Sequence, residues 1–208
     1  MITLREAIDL TLPFVSKDET RPHLTRPARH AGHVVATDGH TLAAVRYDGN
    51  GSDRARTWEP GDCAVPPWEY VTPAAPRFRG TWDTRAFSCA ALDAVPKSWN
   101  AHVSFAYGKA TLTAGLSRKV SRINCRELRP AVPMIVGLPL AGFDLPDLEV
   151  TIALPYLLRA RDLVDAPVVS VYADGPLDPV VFAASGAACT KADLMALDRF
   201  AIVMPMRV

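Results

Sequence analysis

VVATDGHTLAAVRY, Val34 to Tyr47, decides the reading of this chain. Two apolar runs flank Asp38-Gly39, the short-range signal of a tight β-hairpin. Asp38 and His40 straddle the glycine, and His30 and His33 lie just upstream. Imidazole and carboxylate together suit a metal such as zinc or iron. The spacing fits poorly, because His40 lies beyond a tight turn and His30 and His33 sit in a Pro/Arg-rich segment with no helix to hold them. No HExxH motif or second carboxylate pair joins them. Catalytic motifs are absent elsewhere too. GNGSDRAR follows a strand but opens no helix, so it is not a phosphate loop, and no G-x-S-x-G elbow occurs. The residues point to no enzyme and to no cofactor.

Composition sets wide bounds. The chain has 208 residues, 49% of them hydrophobic and 22% charged, with a formal net charge of +1. That is ordinary for a globular protein with a real core, and no overall basic field advertises nucleic acid. Cys63, Cys89, Cys125 and Cys189 form no C-x-x-C pair and read as reduced thiols. No apolar run reaches the roughly 20 residues of a membrane helix, and the N-terminus lacks a signal-peptide pattern. A cytoplasmic, nucleoid-associated location is the expectation.

Working outward from the hairpin, Leu4, Ile8, Leu12 and Val15 recur at helical spacing after a short ITL strand, with Pro13 ending that helix. Residues 22–33 read as irregular. DGNGSDRARTWEPGD is a loop, and VPPWEYVTPAAP (65–76) an extended connector. TWDTRAF then reads as a strand, SCAALDAV as a short helix, HVSFAYGKATLTAG as two strands about Gly108-Lys109, and KVSRINCREL as a further strand. LEVTIA is a strand, and PYLLRARDLV a helix with Pro155 in its first turn. VVSVYADGPLDPVVFA is a hairpin, and RFAIVMPMRV a strand running to the last residue. Strand–helix–strands therefore recurs three times, near 1–60, 80–130 and 147–208.

The apolar end FAIVMPMRV is unusual, since chain ends are commonly frayed and polar. VVATDGHTLAAVR and FAIVMPMRV together resemble the bacterial DNA polymerase III β subunit, the sliding clamp. That family carries V-A-T-D-G-H-x-L-A in its middle domain and ends on V-M-P-M-R plus an aliphatic residue. VPPWEYVTP resembles its F-P-D-Y-R-R-V-x-P linker, and RPHL resembles the segment after the middle domain's first helix. The resemblance implies an α+β clamp fold of repeated β-α-β-β-β units, with antiparallel sheets outside and helices lining a DNA hole. It implies a half-domain over 1–64, a linker over 65–79 and a complete C-terminal domain over 80–208. The family's first domain and half of its middle domain have no counterpart here. Three units per chain need four chains for a twelve-unit ring, and four units would need three. The tetramer is favoured, with the trimer as alternative.

In that family a groove between middle and final domains binds short peptides from polymerase, clamp loader and repair proteins. Carried over residue by residue, its walls are Leu24, Thr37, Gly39, His40, Leu42, Pro66, Tyr70, Val71, Val203, Met204, Pro205, Met206 and Arg207. Tyr70 and Thr41 stand where the family has arginine, which removes two cations. Methionines adapt to varied partners, and a mostly apolar pocket suits an extended peptide. Loose attraction to duplex DNA requires Lys or Arg on the inner helices. Arg5, Lys17, Lys97, Arg159 and Arg161 are the candidates. Two functions follow as expectations: a non-catalytic ring that tethers a polymerase to DNA, or an adaptor that keeps the groove without encircling DNA.

Overall fold

A computed structural model describes residues 2–49, 56–57, 78–86, 88–97, 99–106, 109–116, 136–140, 143–144, 149–184, 194 and 196–206. The chain opens not on a strand but on a helix start. Thr3 caps α1 (Leu4–Thr11), taking an amide hydrogen bond from Glu6, while the Glu6 carboxylate accepts from the Thr3 backbone N–H. That reciprocal box satisfies two orphan donors, which is why ITL does not extend as a strand. The Thr3 backbone and hydroxyl hydrogen bonds hold the Glu6 carboxyl below its usual range. Pro13 falls in a 3-10 turn, Leu12–Phe14, that finishes the helix. Phe14 tucks into the core while Leu12 stays outside.

Residues 22–33 hold more structure than their composition suggests. A 3-10 turn covers Pro22–Leu24, and strand β1 covers Ala28–His30. Ala31 and Gly32, both at positive φ, turn β1 into β2 (His33–Thr37), which pairs with β3 (Thr41–Arg46). Within the expected loop, β4 (Arg56–Thr57) pairs parallel with β1. Residues 50–55 and 58–62 of that loop and the 65–76 connector lie outside the described residues.

The second and third groups interlock. β5 (Phe78–Asp83), α2 (Ser88–Asp93), β6 (Trp99–Ala106), β7 (Lys109–Leu116), β8 (Val136–Leu140) and β9 (Phe143–Asp144) form one group. β10 (Val150–Ala153), α3 (Leu154–Val164), β11 (Val168–Ala173), β12 (Val180–Ala184) and β13 (Arg199–Val203) form the other. Each lends its first strand to the other's sheet. β5 pairs with β11, and β10 pairs with β6. The expected strand KVSRINCREL lies outside the described residues, and the sequence reading did not foresee β8. The terminal strand stops at Val203 rather than running to the end.

Among the described residues the sheets order as β4-β1-β2-β3-β13-β12-β11-β5-β9 and β10-β6-β7-β8. The joint is β3 against β13, antiparallel, with Ala201 opposite Ala43 and Val203 opposite Thr41. Small residues at that seam let the two ladders meet without crowding. Alternation along β3 and β13 then divides two apolar clusters. Ala43, Val45, Ala201 and Val203 face α1 and α3 in the larger core, with Phe14, Trp82, Phe105, Phe182 and Leu157. Leu42, Ala44, Phe200 and Ile202 face the opposite side, under Leu24, Leu194 and Leu197.

Candidate functional site

The TDGH stretch is a two-residue hairpin turn centred on Gly39-His40, one residue later than the Asp38-Gly39 signal suggests. Asp38 N–H donates to Thr41 O at 3.3 Å, and Gly39 takes φ +91°. A first central residue with positive φ is what a two-residue connection of this kind needs, and glycine supplies it without a Cβ penalty. Asp38 shapes the turn from inside. Its Oδ1 accepts from the backbone N–H groups of His40 at 2.9 Å and Thr41 at 2.8 Å, and from the Thr41 hydroxyl at 3.0 Å. Thr37 Oγ1 donates to Thr41 O at 2.6 Å and accepts from Gly39 N–H. The backbone bond would be made by any non-proline residue at 41, whereas the hydroxyl bond to Asp38 is specific to Thr41.

Helix α3 meets the turn from across the β3–β13 joint. Arg159 donates to Asp38 Oδ2 at 3.0 Å. The His40 ring stacks on Tyr156, with centroids 5.8 Å apart and planes 12° apart, and the Arg159 guanidinium lies 5.6 Å from the same ring. Burial, followed by the Asp38 charge, pushes the Tyr156 phenol up. The C-terminal tail closes the arrangement. Met204 N–H donates to His40 O at 2.8 Å, and Met206 N–H to Thr151 O at 2.7 Å. The first bond carries the β13–β3 register one residue past Val203, and the second ties the tail to β10.

The expected groove residues therefore divide. Thr37, Gly39, His40, Met204, Pro205 and Met206 gather around the turn and tail, with both methionines exposed. Leu24 and Leu42 pack together in the cluster on the other sheet face, and Val203 is buried in the larger core. Pro66, Tyr70, Val71 and Arg207 lie outside the described residues. Sequence reasoning missed Tyr156, Thr151 and Arg21, whose guanidinium would lie 3.5 Å from a Cβ placed on Gly39. The half-hidden Asp38 carboxylate demanded a cation, but nothing local in the sequence says which.

The five expected DNA-facing cations also differ in situation. Arg5, Lys17 and Lys97 are exposed and have no ion-pair partner among the described residues. Arg159 holds Asp38, and Arg161 holds Asp93 and Asp162, each at 2.9 Å. Burial works against the charged form of Arg161, yet its hydrogen bonds to Asp162 and Asp93 outweigh this and raise it above its ordinary value. Of the histidines, His33 is buried with its two ring nitrogens against Ala31 O and Leu197 O, both at 3.1 Å. Among the described residues no three metal-ligating side chains converge. No described helix is long and apolar enough to cross a membrane.

The architecture is the sliding-clamp fold, α+β with sheets antiparallel but for the β4–β1 pair and with α1 and α3 packed into the larger core. A sliding clamp from Bartonella birtlesii, solved with griselimycin bound, superposes with TM-score 0.65 at 17% identity, over 99% of this chain and 64% of that one. The DNA polymerase III subunit beta of Pseudomonas aeruginosa gives TM-score 0.65 at 16% identity, over 98% and 64%. The Bacillus subtilis clamp gives 0.60 at 14%, over 97% and 61%. No family model matches the chain, and no curated protein does. The chain thus resembles bacterial DNA polymerase III β clamps along nearly its whole length, while spanning 64% of the Bartonella clamp.

Proposed function

We propose that the chain acts as a sliding clamp, a non-catalytic, cytoplasmic ring that encircles duplex DNA and tethers polymerase and clamp loader through short peptides. Its domain division is the one expected from the sequence: a half-domain over 1–64, a linker over 65–79 and a whole domain over 80–208. The observation that carries this reading is the convergence of the TDGH turn and the Met204–Met206 tail on one sheet joint, in a chain folded as a clamp throughout. Exposed methionines beside a polar turn suit a peptide with apolar anchors. Among the described residues β8 stands at one end of its sheet, and Arg56–Thr57 of β4 lie beside β1 at the end of the other. Edge strands invite pairing. Head-to-tail repetition across those edges would close four copies into a ring.

One observation favours the adaptor reading. The helices α1, α2 and α3 carry Arg5, Arg159 and Arg161 against Glu6, Asp9, Asp93 and Asp162, which is no net attraction for phosphate. DNA retention then falls to Arg5, Lys17 and Lys97. The two readings part on a circular duplex. A ring stays on closed circular DNA in a high-salt wash and is lost when the circle is cut. Neutralising Arg5, Lys17 and Lys97 together should also flatten the salt dependence of DNA association, by a slope of about 0.9 for each phosphate contact removed. Equal retention on linear and circular DNA contradicts the ring, and no retention on either leaves the adaptor.

A further inference from the structure

We propose that Arg159 is a positioning residue of the peptide site, setting the shape of the TDGH turn from helix α3 rather than holding DNA. The inference rests on the peptide-groove reading and adds to it a residue 121 positions away in sequence. Asp38 has two jobs, one per oxygen. Oδ1 organises the turn through His40 and Thr41, and Oδ2 is held by Arg159. Fixing Oδ2 fixes the carboxylate plane, and with it the direction in which His40 leaves the turn.

The contacts form a closed circuit. The turn holds Met204 through His40 O, the tail holds β10 through Met206 and Thr151 O, β10 runs directly into α3, and α3 returns to the turn through Arg159. Only the last link is made by a charged side chain that solvent reaches, at 36% exposure for Arg159 against 16% for Asp38. A half-exposed ion pair adds little to global stability. It does fix geometry, because the guanidinium also lies over Tyr156, the ring on which His40 stacks. The link is therefore one that a side-chain substitution can remove while the fold stays intact.

Griselimycin, bound by the Bartonella birtlesii clamp, is the probe, titrated by calorimetry against the full chain, Arg159→Gln, Arg159→Lys, Asp38→Asn and the double variant Arg159→Gln/Asp38→Asn. The single variants Arg159→Gln and Asp38→Asn each weaken binding about tenfold, and the double variant weakens it no further than either. Arg159→Lys restores part of the loss. The NMR shifts of the His40 ring protons move in Arg159→Gln while the melting temperature does not. Wild-type affinity in Arg159→Gln, or independent effects of the two substitutions, overturns the role of Arg159 alone. Absence of griselimycin binding by the unmodified chain overturns the groove reading and this one with it.

Discussion

Deletion of Met204–Val208 abolishes binding of a polymerase-tail peptide and leaves the oligomer intact. The tail begins where the sheet ends. Val203 is the last residue of β13, paired with Thr41 on one side and Val180 on the other, so the joint survives the deletion. What disappears is the exposed face of Met204 and Met206, and the two backbone bonds to His40 O and Thr151 O. Each such bond contributes about 0.5–1.5 kcal/mol net, a modest loss of stability. The binding loss is far larger, because a few anchor contacts dominate peptide recognition; a drop beyond about 100-fold is expected. Calorimetry with the peptide measures the first effect and light scattering the second. Unchanged affinity would remove the tail from the site.

The largest stability effect belongs to Trp82→Ala. Trp82 is fully buried as the penultimate residue of β5, paired with Val169 of β11 and Phe143 of β9. It sits where one group's first strand enters the other group's sheet, so its loss opens a cavity at the interlock. Truncating a buried tryptophan costs about 3–5 kcal/mol, a large share of the roughly 5–15 kcal/mol that holds a domain folded. For a chain of this length the melting temperature should fall by about 10 °C. Leu177→Ala is the comparison. Leu177 is 52% exposed in the β11–β12 turn, and its removal should change stability by no more than about 0.5 kcal/mol. Equal melting temperatures for the two variants would contradict the interlocked core.

Sequence periodicity carried much of this fold. The alternation in HVSFA, the hairpin VVSVYADGPLDPVVFA and the Pro155 helix start are each visible as strands and helix. The failures have local causes. ITL reads as a strand by its apolar residues, but Thr3 with Glu6 three residues on is a helix cap, and the cap wins. RPARH lacks alternation, so β1 was hidden, and Ala31 is an unexpected residue for a turn at positive φ. RFAIVMPMRV looks continuous, yet after Met204, still opposite His40, the tail turns to reach Thr151 O on β10. At the site, the turn and tail are legible because they are local motifs. Arg159 is not, since the need of Asp38 for a cation is local but its supply is 121 residues distant. Arg159 and Arg161 read as DNA-facing from their place on an inner helix of the clamp resemblance. The structure gives each an aspartate first.

The ring is the central claim, and particle mass tests it most directly. Multi-angle light scattering of the untagged chain at micromolar concentration should return four times the chain mass, invariant on dilution through that range. Three times the chain mass would keep a ring but require a fourth unit per chain. A monomer would contradict the ring.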